Sequence, residues 1–134
     1  MKKTAAFLSL LILLMMLDGC KLVRIEEGER TSIKYTVVDH SQIPEQAAKL
    51  IEEKKEKEFQ MAYQKGEDLY LIKGYGRQMS GGYSIQVTDL SASVNAVFFE
   101  TKLIGPTEEV QGGEPSYPYI VVKTEYRDVP VQFR

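Results

Sequence analysis

From Phe59 onward, apolar residues recur at every second position in one run after another, and that period of two constrains the fold more than any other feature of the chain. Successive side chains of an extended strand point to opposite faces, so a period of two reads as a strand with one buried face. In "FQMAYQ" Phe59, Met61 and Tyr63 share a side. "KGED" supplies a turn at Gly66 before "LYLIKGYG", and the two runs form a predicted hairpin. "YSIQVTDL" sends Tyr83, Ile85 and Val87 inward, with Ser84, Gln86 and Thr88 outward. "VNAVFFETKL" is apolar on both faces, with Val94, Ala96 and Phe98 on one and Val97, Phe99 and Leu103 on the other. It reads as a central strand covered on one side by a helix. "YIVVKTEY" and "VPVQF" close the chain, and Pro130 places the last strand at a rim, because proline cannot donate to a ladder.

Upstream, "TSIKYTVV" alternates as a first strand with Ile33, Tyr35 and Val37 buried. The period then changes. "VDHSQIPEQAAKLIEEKKEKE" predicts a helix over about residues 43–58, capped by Ser41, with Pro44 in its first turn and Glu45 at its positive end. Ile43, Ala47, Leu50 and Ile51 form a stripe that docks on a sheet. "EEKKEKE" reads as a solvated face or as a surface for a charged partner. The expectation is a single β-rich α+β domain over residues 31–134. It has about six antiparallel strands in a sandwich or barrel-like sheet, with one N-terminal helix.

The first residues stand apart. Lys2 and Lys3 precede an apolar run from Ala5 to Leu17 interrupted only by Ser9, shorter than the roughly 20 residues a membrane-spanning helix needs. The run ends in Leu17-Asp18-Gly19-Cys20, and Cys20 is the one cysteine in the chain. This arrangement resembles the lipobox of bacterial lipoproteins, although Asp18 stands where that family carries a small or apolar residue. The resemblance implies a signal peptide over residues 1–19, cleavage before Cys20, and diacylglycerol and palmitate-type acyl chains on that cysteine. Residues 20–30 become a lipidated tether, and the domain sits at the outer face of the bacterial membrane. An uncleaved amphiphilic anchor is the alternative. Cleavage leaves 15 basic and 18 acidic side chains, a mildly acidic body without the concentrated positive patch that nucleic acid requires.

Catalytic chemistry is sparse. His40 is the only histidine, and its neighbours Asp39 and Ser41 cannot adopt triad geometry as consecutive residues. With Cys20 acylated and one histidine, no ligand set of recognised spacing exists, so neither metal nor cofactor is expected. Glu26-Glu27, Glu52-Glu53 and Glu108-Glu109 are adjacent carboxylates read as exposed surface, and "GYG" at 74–76 lacks the strand-to-helix setting of a nucleotide loop. The chain is therefore expected not to be an enzyme.

Recognition signals lie in the loops. Gly81-Gly82 in "RQMSGGYSI" reads as a tight connection or as a contact surface, and the "IGPTEEVQGGEPSYP" segment is long for a structureless connection in a small domain. Tyr70, Tyr75, Tyr83, Tyr117, Tyr119 and Tyr126 cluster in the β-rich half, as packing residues or as contact area. "GYGRQMSGGYSIQVTDL" followed by "YPYIVVKTEYRDVPVQF" resembles the PrcB C-terminal domain family over about residues 69–134, with Met79-Ser80 in place of the usual Pro-Thr. That family includes a lipoprotein subunit of a spirochaete surface protease complex, so the resemblance implies a lipid-anchored module that binds or modulates a surface protein. A more distant similarity, at Ser80 to Tyr83, is to chagasin-type inhibitors, which insert a loop into a protease cleft. Ser80, Gly81, Gly82, Tyr83, Tyr117 and Tyr119 are the candidate binding residues, and the loops 76–82 and 104–118 the candidate contact edge.

Overall fold

A computed structural model describes residues 29–107 and 113–134; the predicted leader, Cys20 and the Glu108-Glu109 pair lie outside the described residues. Among the described residues the fold is β-rich α+β, with eight strands in two four-stranded sheets and one short α-helix. The strands are β1 (Thr31–Ser32), β2 (Thr36–Val37), β3 (Glu58–Lys65), β4 (Asp68–Tyr75), β5 (Ser84–Ala92), β6 (Val97–Ile104), β7 (Tyr119–Glu125) and β8 (Val131–Phe133). A 3-10 turn at His40–Gln42 leads to α1 (Glu45–Lys54). One sheet runs β1-β5-β6-β8 and the other β2-β7-β4-β3.

Alternation in the sequence becomes two apolar layers. Leu69 and Leu71 of β4, Ile120 and Val122 of β7, Leu90 and Ala92 of β5, and Val97 and Phe99 of β6 meet between the sheets. The opposite faces of β4 and β7, with Tyr70, Ile72 and Val121, receive Ala47 and Ile51 of α1. A bulge at Thr88, where the β5–β6 register shifts between Val87 and Asp89, lets β5 change from odd inward residues (Ile85, Val87) to even ones (Leu90, Ala92).

Several expectations change. The first strand is two: β1 joins the edge of one sheet, β2 the edge of the other, and the chain between them crosses the corner of the sandwich. Its alternation therefore has no single face to bury, and Tyr35 and Val37 are exposed at 41% and 57%. Ile33 N–H to Leu90 O and Thr124 Oγ1 to Lys34 O hold the crossing. The helix stops at Lys54 rather than near 58, because Glu58 already pairs with Tyr75 in the β3–β4 ladder. Pro44, not Ser41, occupies the N-cap position, and the Ser41 hydroxyl donates to Asp39. The Asp39 carboxyl is lowered chiefly by that bond. β8 lies at the rim as expected, but pairs parallel to β6.

The central strand β6 is apolar on both faces, yet its second cover is not the helix, which packs on the other sheet. Phe98 points away from the sandwich interior and is nevertheless fully buried. The Arg30 and Arg134 guanidinium groups lie over its ring at 4.7 and 5.0 Å from the centroid. Guanidinium planes cover an aromatic face while keeping their own contact with water, which makes them suitable lids for an outer sheet face.

One charged side chain is buried among the described residues: Lys73 is 9% exposed within β4, where its ammonium meets Glu58 at 2.7 Å and lies 5.2 Å from the Tyr75 ring. Removing the acid strands a buried cation, whereas replacing the cation with an apolar chain of similar length leaves nothing unpaired. Glu58→Ala is therefore expected to cost about 1–3 kcal/mol and Lys73→Met less than about 1 kcal/mol, read by urea unfolding. Equal losses from both would contradict this.

Candidate recognition edge

The C-terminal end of α1, the starts of β3, β5 and β7, and the ends of β4 and β6 converge on the connection 76–83 and on the described parts, 105–107 and 113–118, of the connection between β6 and β7. These two loops are bonded to each other. Gln78 N–H donates to Ser116 O (2.8 Å), Ser116 N–H donates to Gln78 O (3.0 Å), and the Ser116 hydroxyl donates to Ser80 O (2.6 Å). The Gln78 amide donates to Tyr75 O, and Tyr75 N–H donates to Pro118 O, so the pair of loops continues the β4–β7 ladder beyond both strands. The Tyr75 hydroxyl reaches Thr101 Oγ1 and ties this end of one sheet to the other.

Each predicted residue has a defined place. Gly82 has φ +87°, a left-handed backbone that favours glycine, and a Cβ there would meet Pro106 Cβ at 3.0 Å. Gly81 has open space around it. The Gly81-Gly82 pair therefore divides: the second glycine makes the turn against the opposite loop, and the first does not require its identity. Ser80 holds the loop through its carbonyl, while its hydroxyl donates to Gly81 O (3.3 Å). Tyr83 is half-buried beside Gly105. Met79, at the tip, is 79% exposed. With Ile104 at 39%, it gives the edge exposed apolar area.

Tyr117 and Tyr119 form a second group. Lys55 Nζ lies 5.2 Å from the Tyr117 ring centroid, and the His40 ring stacks on Tyr119 at 4.5 Å and 12°. Burial, then the nearby Glu52 carboxylate, raises the Tyr119 phenol. The hydrogen bond to Glu52, at 2.9 Å, raises the Lys55 ammonium. This group lies beside α1, and Ser116-Tyr117-Pro118 connects it to the glycine loop. His40 therefore packs its ring on an aromatic side chain, and the Ser41 hydroxyl donates to the Asp39 carboxylate rather than to the imidazole.

Outside the candidate binding residues named from the sequence stand Gln78, Ser116 and Pro106, which hold the loops together, and Met79, noted there only as a departure from the family pattern, which is exposed. Among the described residues no cluster of three or more His, Cys, Asp or Glu side chains could hold a metal, and no helix is long and apolar enough to cross a membrane. An open depression of about 1240 Å³ lies elsewhere, lined by the β1–β2 crossing, Glu67, Val94 and Lys123, and contains none of the predicted residues.

Residues 69–125 match the PrcB C-terminal family model. The matched segment runs from β4 through β7, the two inner strands of each sheet together with both loops of the edge. It ends with β7, so β8 lies beyond the PrcB-like part, which is shorter than the resemblance to residue 134 predicted. No curated protein and no solved structure matches the chain. Within the PrcB-like segment the loops that touch each other, through Gln78, Ser80 and Ser116, lead directly into Gly81-Gly82-Tyr83-Ser84 and Tyr117-Pro118-Tyr119.

Proposed function

We propose that this chain is a non-catalytic binding module, anchored by lipid on Cys20 at the outer face of the bacterial membrane, that assembles with or modulates another surface protein through the edge formed by residues 76–83 and 113–118. The observation that carries this reading is the bonding of Ser116 to Gln78 and Ser80, which supports a loop whose tip residue, Met79, stands 79% exposed. A loop braced from below presents side chains at low entropic cost, and exposed methionine and tyrosine are suited to contact surfaces. The anchor reading rests on Leu17-Asp18-Gly19-Cys20. Each buried acyl methylene contributes about 0.8 kcal/mol, so two or more chains make attachment effectively permanent.

Affinity capture of the tagged full chain from solubilised membranes tests both parts. The expected result is a reproducible surface protein whose recovery falls at least about tenfold with Tyr83→Ala or Met79→Asp, a loss of the size a contact hot spot carries. The captured chain should have the mass of a polypeptide beginning at Cys20 with acyl chains attached. Recovery unchanged by either variant would remove the edge from the account, and an unmodified Cys20 joined to residues 1–19 would remove the anchor. The same projecting loop favours a second reading, a protease inhibitor that inserts residues 79–83 into a cleft. Stoichiometric loss of turnover against a panel of cysteine and serine proteases separates inhibitor from assembly module.

A further inference from the structure

Three of the four strand edges in the sandwich are blunted, and one is not. β1 and β2 have two residues each and β8 three, lengths that offer little template for pairing. β3 has eight residues, without proline or bulge, and forms the outer edge of its sheet. Its free main-chain groups follow from the register. Tyr75 N–H bonds Pro118 O and Tyr126 N–H bonds Glu67 O, so the odd residues of β4 face β7 and its even residues face β3. Paired as Tyr63↔Tyr70 and Met61↔Ile72, the odd residues of β3 bond β4. The N–H and C=O groups of Glu58, Gln60, Ala62 and Gln64 therefore point outward, with no main-chain partner among the described residues.

We propose that β3 pairs antiparallel with β3 of a second copy, about a two-fold axis perpendicular to the sheet that passes between the two Met61 residues. Such an axis keeps the α1 side of both sheets on one face, so only residues of like parity stand opposite each other. In this register Gln60 faces Ala62 and Glu58 faces Gln64, and all four outward residues gain bonds through both main-chain groups. On the α1 side Phe59 faces Tyr63 twice and Met61 faces Met61, so the half-buried Phe-x-Met-x-Tyr row is its own complement. Moving the axis to Ala62 puts Glu58 against the Gly66 turn and Phe59 against Lys65. Moving it to Gln60 leaves Gln64 opposite Glu56, outside the strand. α1 packs on the sheet face over Tyr70, Ile72 and Val121 and meets β3 on that face, where the Tyr63 hydroxyl donates to Gln46, while the chain enters the fold through β1 and β2 on the opposite side. The pairing joins two four-stranded sheets into one.

Cross-linking and mass read the pairing. Met61 forms a non-hydrogen-bonded pair with its mate, where Cα atoms lie about 4.5 Å apart, within disulfide reach. Under mild oxidation in detergent, the full chain with Met61→Cys should give at least about five times the covalent dimer of Gln60→Cys or Ala62→Cys, whose mates lie beyond about 7 Å. The unsubstituted chain sets the background, including that from any Cys20 without its lipid. Ala62→Pro removes an N–H that β4 does not use, so it should halve the protein mass by light scattering while leaving a cooperative thermal transition. A monomeric mass for the unsubstituted chain would overturn the proposal, including one in which β3 pairs only with a strand of another protein. A dimer that survives Ala62→Pro, or equal cross-linking from positions 60, 61 and 62, would do the same.

Discussion

Phe98→Ala should lower the unfolding free energy by about 3–5 kcal/mol, the range for emptying a fully buried aromatic site. A domain of this size has only about 5–15 kcal/mol in total, so the substitution removes much of its margin. The effect is large because the site cannot collapse. Ser91 of β5 and Gln132 of β8 flank Phe98 within the sheet, and the Arg30 and Arg134 guanidinium groups close over the ring. Without the ring, two cations face a small void above the backbone of a central strand. Arg30 keeps Asp89 at 3.7 Å as a partner, so its charge is not stranded. Phe98→Leu refills most of the volume and should cost under about 1.5 kcal/mol. The chain contains no tryptophan, so urea unfolding is followed by tyrosine fluorescence and circular dichroism. A loss under 1 kcal/mol for Phe98→Ala, on the scale of an ordinary surface change, would show that the arginines do not seal the site.

Gly76→Ala should have the next largest effect, about 2–4 kcal/mol. Gly76 has φ +74°, and a Cβ there would lie 2.9 Å from Glu58 N and 3.0 Å from Lys57 C. Those are main-chain atoms, so relief requires moving the start of β3 and the Arg77 N–H to Glu56 O bond that leads into the recognition edge. Gly82→Ala has the same backbone problem at φ +87°, but its neighbour is the Pro106 side chain and loop, which can shift, so the cost falls to about 1–2 kcal/mol. Gly81→Ala meets nothing within 4 Å and should change stability by less than about 0.5 kcal/mol. Thermal melts of the three variants should rank them in that order. A Gly81→Ala variant as damaging as Gly76→Ala would contradict the loop geometry.

These two sites also show what could be read in advance. Alternation placed β3 through β7 because each has a face that packs, and a period of two survives wherever a strand keeps one neighbour below it. It misled at Ile33 to Val37, where the same period occurs in a segment that leaves one sheet for the other. The helical pattern overruns the helix because Glu and Lys carry helical propensity past Lys54, while the pairing of Glu58 with Tyr75 is a tertiary contact no local pattern states. The two-faced apolar pattern of β6 marks Phe98 as buried, but its cover comes from Arg30 and Arg134, which are remote in sequence. The glycine pair was visible as a turn. Its brace was not, since the Ser116 hydroxyl and the Ser80 carbonyl are 36 positions apart and meet only because β4 and β7 are neighbours.

The central claim is that the braced loops form the contact edge, and a photo-crosslinker placed at position 79 in living cells tests it most directly. The same group at Gln86, on the outer face of β5, serves as the control. The account predicts a discrete cross-linked surface protein from position 79, diminished by Tyr83→Ala and absent from position 86. Cross-links of equal yield from both positions, or from position 86 alone, would contradict it.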